Sequence, residues 1–101
     1  MFIKDMLREE LQNSLQIKAD YQQAIDGIPR GSLVRKIIGG HPYFYLAYRE
    51  QAKVKFDYVG KLSEEEIHKY QESKEKRAKY RKHLSEVNKQ IKYIEKVLRA
   101  K

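Results

Sequence analysis

Cysteine and tryptophan are both absent from this chain of 101 residues. Without cysteine there can be no disulfide scaffold and no thiolate zinc site. No apolar run approaches the roughly 20 residues that a membrane-spanning helix requires, and the beginning of the chain mixes acidic side chains with apolar ones, unlike a signal peptide. The sequence therefore predicts a cytoplasmic protein that has no membrane partner.

Proline and glycine are scarce, and their positions divide the chain into three parts. The two prolines and five glycines all lie between Gly27 and Gly60, and both residue types interrupt helices. The stretches on either side have helical periodicity, whereas the middle is patterned as strand. The predicted fold class is α+β in a single domain, residues 1–101. It comprises a long helix (2–26), a three-stranded antiparallel β-meander (32–59) and a longer C-terminal helix with a coiled-coil seam (63–99).

The first predicted helix is amphipathic. Ser14 and Lys18 interrupt its apolar stripe, so the packing seam is expected to be imperfect there. Gly27 and Pro29 are typical of a helix end, because glycine accepts a left-handed conformation and proline cannot continue a helix. The stripe consists of Ile3, Leu7, Leu11, Leu15, Tyr21 and Ile25.

The second predicted helix begins with a capping box formed by Ser63 and Glu66. From Leu84 onward its apolar residues alternate three and four apart, which is the spacing of a coiled-coil seam. Two partners for this seam remain open: the first helix folded back as an antiparallel hairpin, or a second copy of the chain in a homodimer. The seam consists of Leu84, Val87, Ile91, Ile94 and Leu98, and it continues towards the N-terminus through Tyr80, Arg77, Ser73 and Tyr70.

Three strands are predicted in the middle segment, at residues 32–38, 43–49 and 53–59, with a loop at 50–52. Placing Arg49 opposite Lys53 across that loop collects apolar and aromatic side chains on one face, which is the expected core. The first strand can bury either of its faces. The predicted core face contains Phe44, Leu46, Tyr48, Val54, Phe56 and Tyr58, and the predicted outer face contains Tyr43, Tyr45, Ala47, Arg49, Lys53, Lys55, Asp57 and Val59.

No arrangement of residues predicts catalysis, a metal site or a cofactor site. His41, His68 and His83 are too scattered to form a ligand set. The acidic residues 64–66 are typical of a helix start, and the glycines follow no phosphate-loop pattern. We therefore expect a protein that is not an enzyme and that holds no cofactor and no metal.

Basic residues outnumber acidic ones by 22 to 14, and the net charge is +8. Such a surplus favours polyanionic partners such as nucleic acid or an acidic protein. The outer sheet face is a sharper candidate than the basic run at residues 74–82, because tyrosine rings can stack on bases and cations can contact phosphates. The other interpretation of this face is an ordinary polar surface. The predicted nucleic-acid-binding residues are Arg35, Lys36, Tyr43, Tyr45, Arg49, Lys53, Lys55 and Lys61.

The segment from Gly31 to Lys61 resembles a group of small, largely uncharacterised prokaryotic proteins. The resemblance rests on Gly31-Ser32-Leu33, Lys36, Ile38, Tyr43-Phe44-Tyr45-Leu46, Tyr48-Arg49, Lys53-Val54 and Tyr58-Val59-Gly60-Lys61. The tyrosine-rich hairpin is also similar to the amino-terminal DNA-contacting sheets of some transposases and phage integrases. It differs from them in having Gln51-Ala52 in place of the usual turn glycine and in lacking a catalytic domain. The resemblance implies an accessory DNA binder from mobile-element biology.

Two functions are compatible with these observations. The first is a non-enzymatic nucleic-acid-binding module that uses the outer sheet face, assisted by the basic helix, with DNA as the favoured partner. The alternative is a protein-interaction or assembly module. It would be either a coiled-coil homodimer through the C-terminal helix or an antitoxin-like partner of an acidic protein.

Overall fold

The computed structural model describes residues 2–100 and has an α+β fold. Along the chain, one helix precedes the three strands of a small antiparallel sheet and a longer helix follows them, in the order that the sequence predicts. The second and third strands each extend slightly beyond their predicted bounds. The elements are α1 (Phe2–Asp26), β1 (Ser32–Ile38), β2 (His41–Glu50), β3 (Lys53–Gly60) and α2 (Glu64–Arg99).

The chain forms two compact units, and α2 contributes to both. The helical unit comprises Met1–Gly27 together with Ala78–Lys101, so it pairs α1 with the C-terminal part of α2. The sheet unit comprises Ile28–Arg77 and holds the three strands with the N-terminal part of α2.

In the helical unit, α1 lies antiparallel to α2. The Nζ of Lys4 donates to the carbonyl of Ala100 at 3.4 Å. Farther along, the ring of Tyr21 stacks on that of His83, with centroids 5.6 Å apart and planes 19° apart. Low-numbered residues of one helix therefore meet high-numbered residues of the other. This confirms the antiparallel hairpin as a partner for the seam of α2.

The buried face of α1 differs from the predicted stripe. Ser14 is only 2% exposed, whereas Ile3, predicted to be buried, is 65% exposed, and Leu15 is also exposed. A step of four residues turns a helix about 40° beyond a full circle, so a stripe at every fourth position has drifted about 100° from Ser14 by Leu15. Drift does not account for the exposure of Ile3, which lies within about 20° of Ser14 in the same projection. Ser14 lies three residues after Leu11, and this shorter step keeps it on the buried side of α1. A small side chain there suits close approach of two helices.

The predicted seam of α2 is confirmed as its buried face. Ile91 and Ile94 are buried, and the other seam residues are at least half-buried. The N-terminal end has the predicted capping box: the Glu66 N–H donates to the Ser63 Oγ at 3.2 Å, and the Ser63 N–H donates to the Glu66 carboxylate at 3.4 Å.

The sheet has the strand order β1-β2-β3, with both neighbouring pairs antiparallel. The loop between β2 and β3 is one residue shorter than predicted, because only Gln51 and Ala52 are turn residues and Glu50 pairs with Lys53. Both turn residues have positive φ, 51° and 68°. Two consecutive positive φ angles are the hallmark of a type I′ hairpin turn, which normally has Asn-Gly or Asp-Gly. The predicted three-residue loop was therefore wrong because Gln-Ala lacks that signature.

The shorter turn reverses the face assignment of β3. A register change of one residue transfers every side chain of a strand to the other face. The structure pairs Tyr45 with Tyr58, Ala47 with Phe56, and Arg49 with Val54. The prediction that the apolar side chains of β3 belong to the core is wrong: Phe56 is 55% exposed and Tyr58 is 62% exposed.

The core of the sheet unit lies on the opposite face of β2. Phe44 is buried, and it lines a groove of about 620 Å³ together with Ile67 and Tyr70 of α2. Arg77 connects α2 to the segment that leads into β1, since its guanidinium donates to the carbonyls of Pro29 and Gly31.

Candidate nucleic-acid interface

One face of the sheet is open and rich in aromatic rings, and we call it the aromatic face. Its members follow from the register, because directly opposed residues in an antiparallel pair point to the same side. Tyr45 has Val34 opposite it on β1 and Tyr58 opposite it on β3. The aromatic face consists of Ser32, Val34, Lys36, Ile38, His41, Tyr43, Tyr45, Ala47, Arg49, Val54, Phe56 and Tyr58.

The rings on this face form one cluster. The centroids of Tyr45 and Tyr58 are 5.3 Å apart with planes at 59°, and those of Tyr43 and Tyr58 are 6.5 Å apart at 35°. These separations fall within the 4.5–7 Å range of favourable aromatic pairs. Phe56 joins the cluster through a shared cation, since the Lys36 Nζ lies 4.9 Å from the Tyr45 centroid and 5.9 Å from the Phe56 centroid.

A second lysine borders the cluster at the end of β3. The Nζ of Lys61 lies 5.7 Å from the centroid of Tyr43. Arg49 is exposed near the opposite end of β2, where it pairs with Val54. Cations therefore stand at both ends of the row of rings, and a third stands over its middle.

The two acidic residues of the strands lie on the other face of the sheet. Glu50 forms a salt bridge with Lys55 at 3.1 Å, and Asp57 accepts a hydrogen bond from the Tyr48 hydroxyl at 3.4 Å. Among the described strand residues, the aromatic face therefore carries cations and no acid. Cations lie on both faces of the sheet, whereas both acids of the strands lie on the face opposite the aromatic face.

The structure brings together part of the predicted binding set and separates the rest. Register and ring contacts place five of these residues around the aromatic cluster, whereas the register places the other three on the opposite face. The prediction that Lys53 and Lys55 share a face of the sheet with Tyr45 is wrong, because the two-residue turn shifts β3 by one position. The residues brought together are Lys36, Tyr43, Tyr45, Arg49 and Lys61, and those on the opposite face are Arg35, Lys53 and Lys55.

Phe56 and Tyr58 are the residues that the sequence prediction missed as surface residues. Strict alternation in β3 does mark two faces, with Val54, Phe56 and Tyr58 on one and charged residues on the other. Both faces of β2 are apolar or aromatic, however, so β2 accepts either register. The pattern alone favoured burying the apolar side of β3.

The basic run at residues 74–82 is only partly a surface feature. Arg77 is 7% exposed and is hydrogen-bonded to backbone carbonyls. It is therefore part of the packing of the sheet unit. The remaining cations of the run are exposed.

Residues 2–100 contain no group of three or more His, Asp or Glu side chains that could hold a metal ion. His68 and His83 each lie beside a glutamate on the same helix, 2.8 Å from Glu72 and 3.8 Å from Glu86 respectively. Over the same residues, neither helix is long and apolar enough to cross a membrane.

A family profile described as a domain of unknown function, DUF6788, matches residues 4–69. The chain belongs to the DUF6788 family. The matched region contains most of α1, the whole sheet and the beginning of α2, so the aromatic face and Lys61 lie entirely within it. This confirms the predicted membership of an uncharacterised family. No characterised protein and no solved structure matches the chain.

Proposed function

We propose that this DUF6788 chain is a non-enzymatic nucleic-acid-binding module and that the aromatic face is its contact surface. One observation carries the proposal: an open sheet face presents a cluster of four aromatic rings bordered by Lys36, Arg49 and Lys61, while both strand acids lie on the other side.

Each part of this surface suits one part of a nucleic acid. Aromatic rings offer flat apolar area on which bases stack, and base stacking tolerates any sequence because every base has a π-face. The cations neutralise phosphates and release condensed counterions. The chain's net charge of +8 adds a long-range attraction for a polyanion.

The resemblance of the hairpin to the DNA-contacting sheets of transposases and phage integrases supports DNA as the partner. It also supports mobile-element biology as the setting, and a cytoplasmic location agrees with that setting. The resemblance rests on the tyrosine-rich hairpin and the Gly60-Lys61 pair at its end, and Tyr45 and Lys61 lie on or beside the aromatic face.

The direct test compares two double variants that remove the same charge from opposite faces of the sheet. K36Q/K61Q removes two cations from the aromatic face, and K53Q/K55Q is the matched control. We expect K36Q/K61Q to weaken binding of labelled nucleic acid about tenfold at low salt. Its slope of log affinity against log salt should fall by about 1.4 for a single strand or about 1.8 for duplex. Fluorescence anisotropy at several salt concentrations measures both quantities.

The control should change affinity less than threefold. Equal losses in the two variants would show that net charge alone drives binding and would contradict the assignment of the aromatic face. If the unmodified protein binds neither DNA nor RNA at low salt, the proposal itself fails.

A second candidate function is self-assembly through α1, and a separate observation favours it. Ile3, Met6 and Ile17 are all exposed on α1 although they are apolar. At 100° per residue they fall within about 60° of one another. Met6 and Ile17 lie about 80° and 60° from the buried Ser14 around α1, and Ile3 lies within about 20° of it. Pairing with α2 nonetheless leaves all three side chains exposed, and a second copy could bury them. The surface differs from the α2 seam first predicted for a homodimer, because α1 already packs on that seam.

Self-assembly predicts that M6K/I17K lowers the average mass in solution. Lysine at these positions would place charge inside the interface between copies, which is costly to bury. The matched control is Q12K/Q23K, which adds the same charge at the same spacing about 120° away around α1. Light scattering after size exclusion measures the mass. A monomeric unmodified protein at high micromolar concentration would refute this candidate.

A further inference from the structure

We infer that the aromatic face takes single-stranded nucleic acid, with unpaired bases stacked on its rings, in preference to the groove of a duplex. The inference rests on the proposed function and narrows its ligand. It is based on the side chains that the structure places on the aromatic face. These differ from the predicted outer face, because Phe56 and Tyr58 replace Lys53 and Lys55.

Apart from Lys36, whose ammonium lies over the rings, the centre of the face has little capacity to read base edges. Recognition in the major groove uses donors and acceptors aimed at the edges of base pairs, most often from Arg, Lys, Asn or Gln. Of the residues opposed across the strands at this centre, Val34, Ala47 and Phe56 have no side-chain hydrogen-bonding group, and Ser32 has a single hydroxyl. What they and the neighbouring tyrosines offer is apolar area.

The rings are exposed enough to receive bases. Phe56 and Tyr58 each expose more than half of their surface, and Tyr58 contacts Tyr45 and Tyr43. In a duplex the faces of the bases are already covered by their neighbours, so rings can reach them only by unstacking or flipping a base, at a cost of a few kcal/mol. A single strand offers base faces without that cost.

The cations are placed where the backbone of a stacked strand would pass. Lys36 lies over the rings from the β1 side, while Lys61 and Arg49 lie towards opposite ends of β2. Tyr43 and Arg49 are six residues apart, a distance of roughly 20 Å along a strand. Surfaces of this kind cover about four or more nucleotides. The ammonium of Lys36 can leave the ring as a base arrives and pair with a phosphate.

The test uses one mixed-sequence 20-nucleotide DNA without self-complementarity, the RNA of the same sequence, and the DNA duplex formed with its complement. Each is titrated into the full chain by anisotropy at near-physiological salt. We expect at least one of the single strands to bind about tenfold more tightly than the duplex. A 2-aminopurine near the middle of the DNA strand reports stacking by a change in its fluorescence.

Ring removal separates stacking from charge. Phe56→Leu keeps an apolar side chain but removes the flat ring on which a base can stack, and Tyr58→Leu does the same for a second ring. Tyr93→Leu is the matched control, since Tyr93 is an equally exposed tyrosine, at 67%, on α2 in the helical unit. We expect each sheet variant to weaken single-strand binding about fivefold or more and to reduce the 2-aminopurine response. The control should leave both unchanged.

The outcomes separate the two proposals. If the duplex binds as tightly as the single strands and K36Q/K61Q weakens that binding, the single-strand inference is overturned while the proposed function stands. If single strands bind more tightly but Phe56→Leu and Tyr58→Leu bind as the unmodified protein does, stacking on these rings is refuted. Absence of binding to all three ligands at low salt overturns both. Far-UV circular dichroism of each variant checks that it is folded.

Discussion

Replacing Gly31 with alanine should lower the free energy of unfolding by about 3 kcal/mol. Gly31 has a φ of 103°, in the region that residues with a side chain rarely adopt. An added Cβ would lie 2.7 Å from the Ala47 carbonyl oxygen and 3.0 Å from the Leu46 Cγ. Ala47 is in the central strand and pairs with Ser32, so its carbonyl cannot retreat without disturbing the pairing of β1 with β2.

Gly39 is the matched control for this substitution. It also has a positive φ, 59°, but an added Cβ would meet nothing within 4 Å. Gly39→Ala should therefore cost only the backbone strain, about 1 kcal/mol. Urea unfolding followed by far-UV circular dichroism gives both values. Equal losses in the two variants would show that the close approach of Ala47 to Gly31 has no energetic weight.

Replacing Arg77 with methionine should lower the free energy of unfolding by about 3 kcal/mol. Methionine has a similar length and is apolar, but it cannot donate to the carbonyls of Pro29 and Gly31. Arg77 is nearly buried and both hydrogen bonds are part-buried, so these two acceptors would lose their donor where water has only partial access. An orphaned buried acceptor costs about 1–3 kcal/mol.

Arg81→Met provides the control, since Arg81 is exposed one helical turn farther along α2. We expect it to change stability by less than about 0.5 kcal/mol. Arg77→Lys should be intermediate, because a lysine ammonium cannot reproduce the planar fork of the guanidinium. If Arg77→Met is as mild as Arg81→Met, the buried guanidinium does not hold the segment before β1. Since Gly31 contacts Arg77, the Gly31→Ala and Arg77→Met effects should not add in the double variant.

The helices show which features a local sequence pattern predicts correctly. Ser63 and Glu66 predict the start of α2 because a capping box needs only residues three apart, and the structure has both of its hydrogen bonds. The three-four alternation from Leu84 to Leu98 likewise predicts a buried seam from spacing alone. Arg77 occupies a position of that same seam, but nothing local shows that its guanidinium binds carbonyls more than forty residues away.

The candidate site shows where local pattern fails. Tyr43, Tyr45 and Lys36 were predicted for the outer face, whereas Phe56 and Tyr58 were predicted for the core. The difference is a single residue in the β2–β3 turn, where Gln51 and Ala52 both adopt positive φ. A positive φ is unfavourable for glutamine and alanine, so the sequence contains no signal for this turn. The pairing of the flanking strands holds it in place.

The sequence by itself determined the element order, the helix cap, the seam of α2 and the α+β class, because each depends on residues close together in the chain. Only the tertiary structure decided which face of β3 is exposed to solvent and which side of α1 packs against α2. Alternation defines two faces of a strand without saying which is buried, and an amphipathic helix tolerates a small rotation. Packing against a second element removes that freedom, and here it leaves the rings and cations on one open side of the sheet.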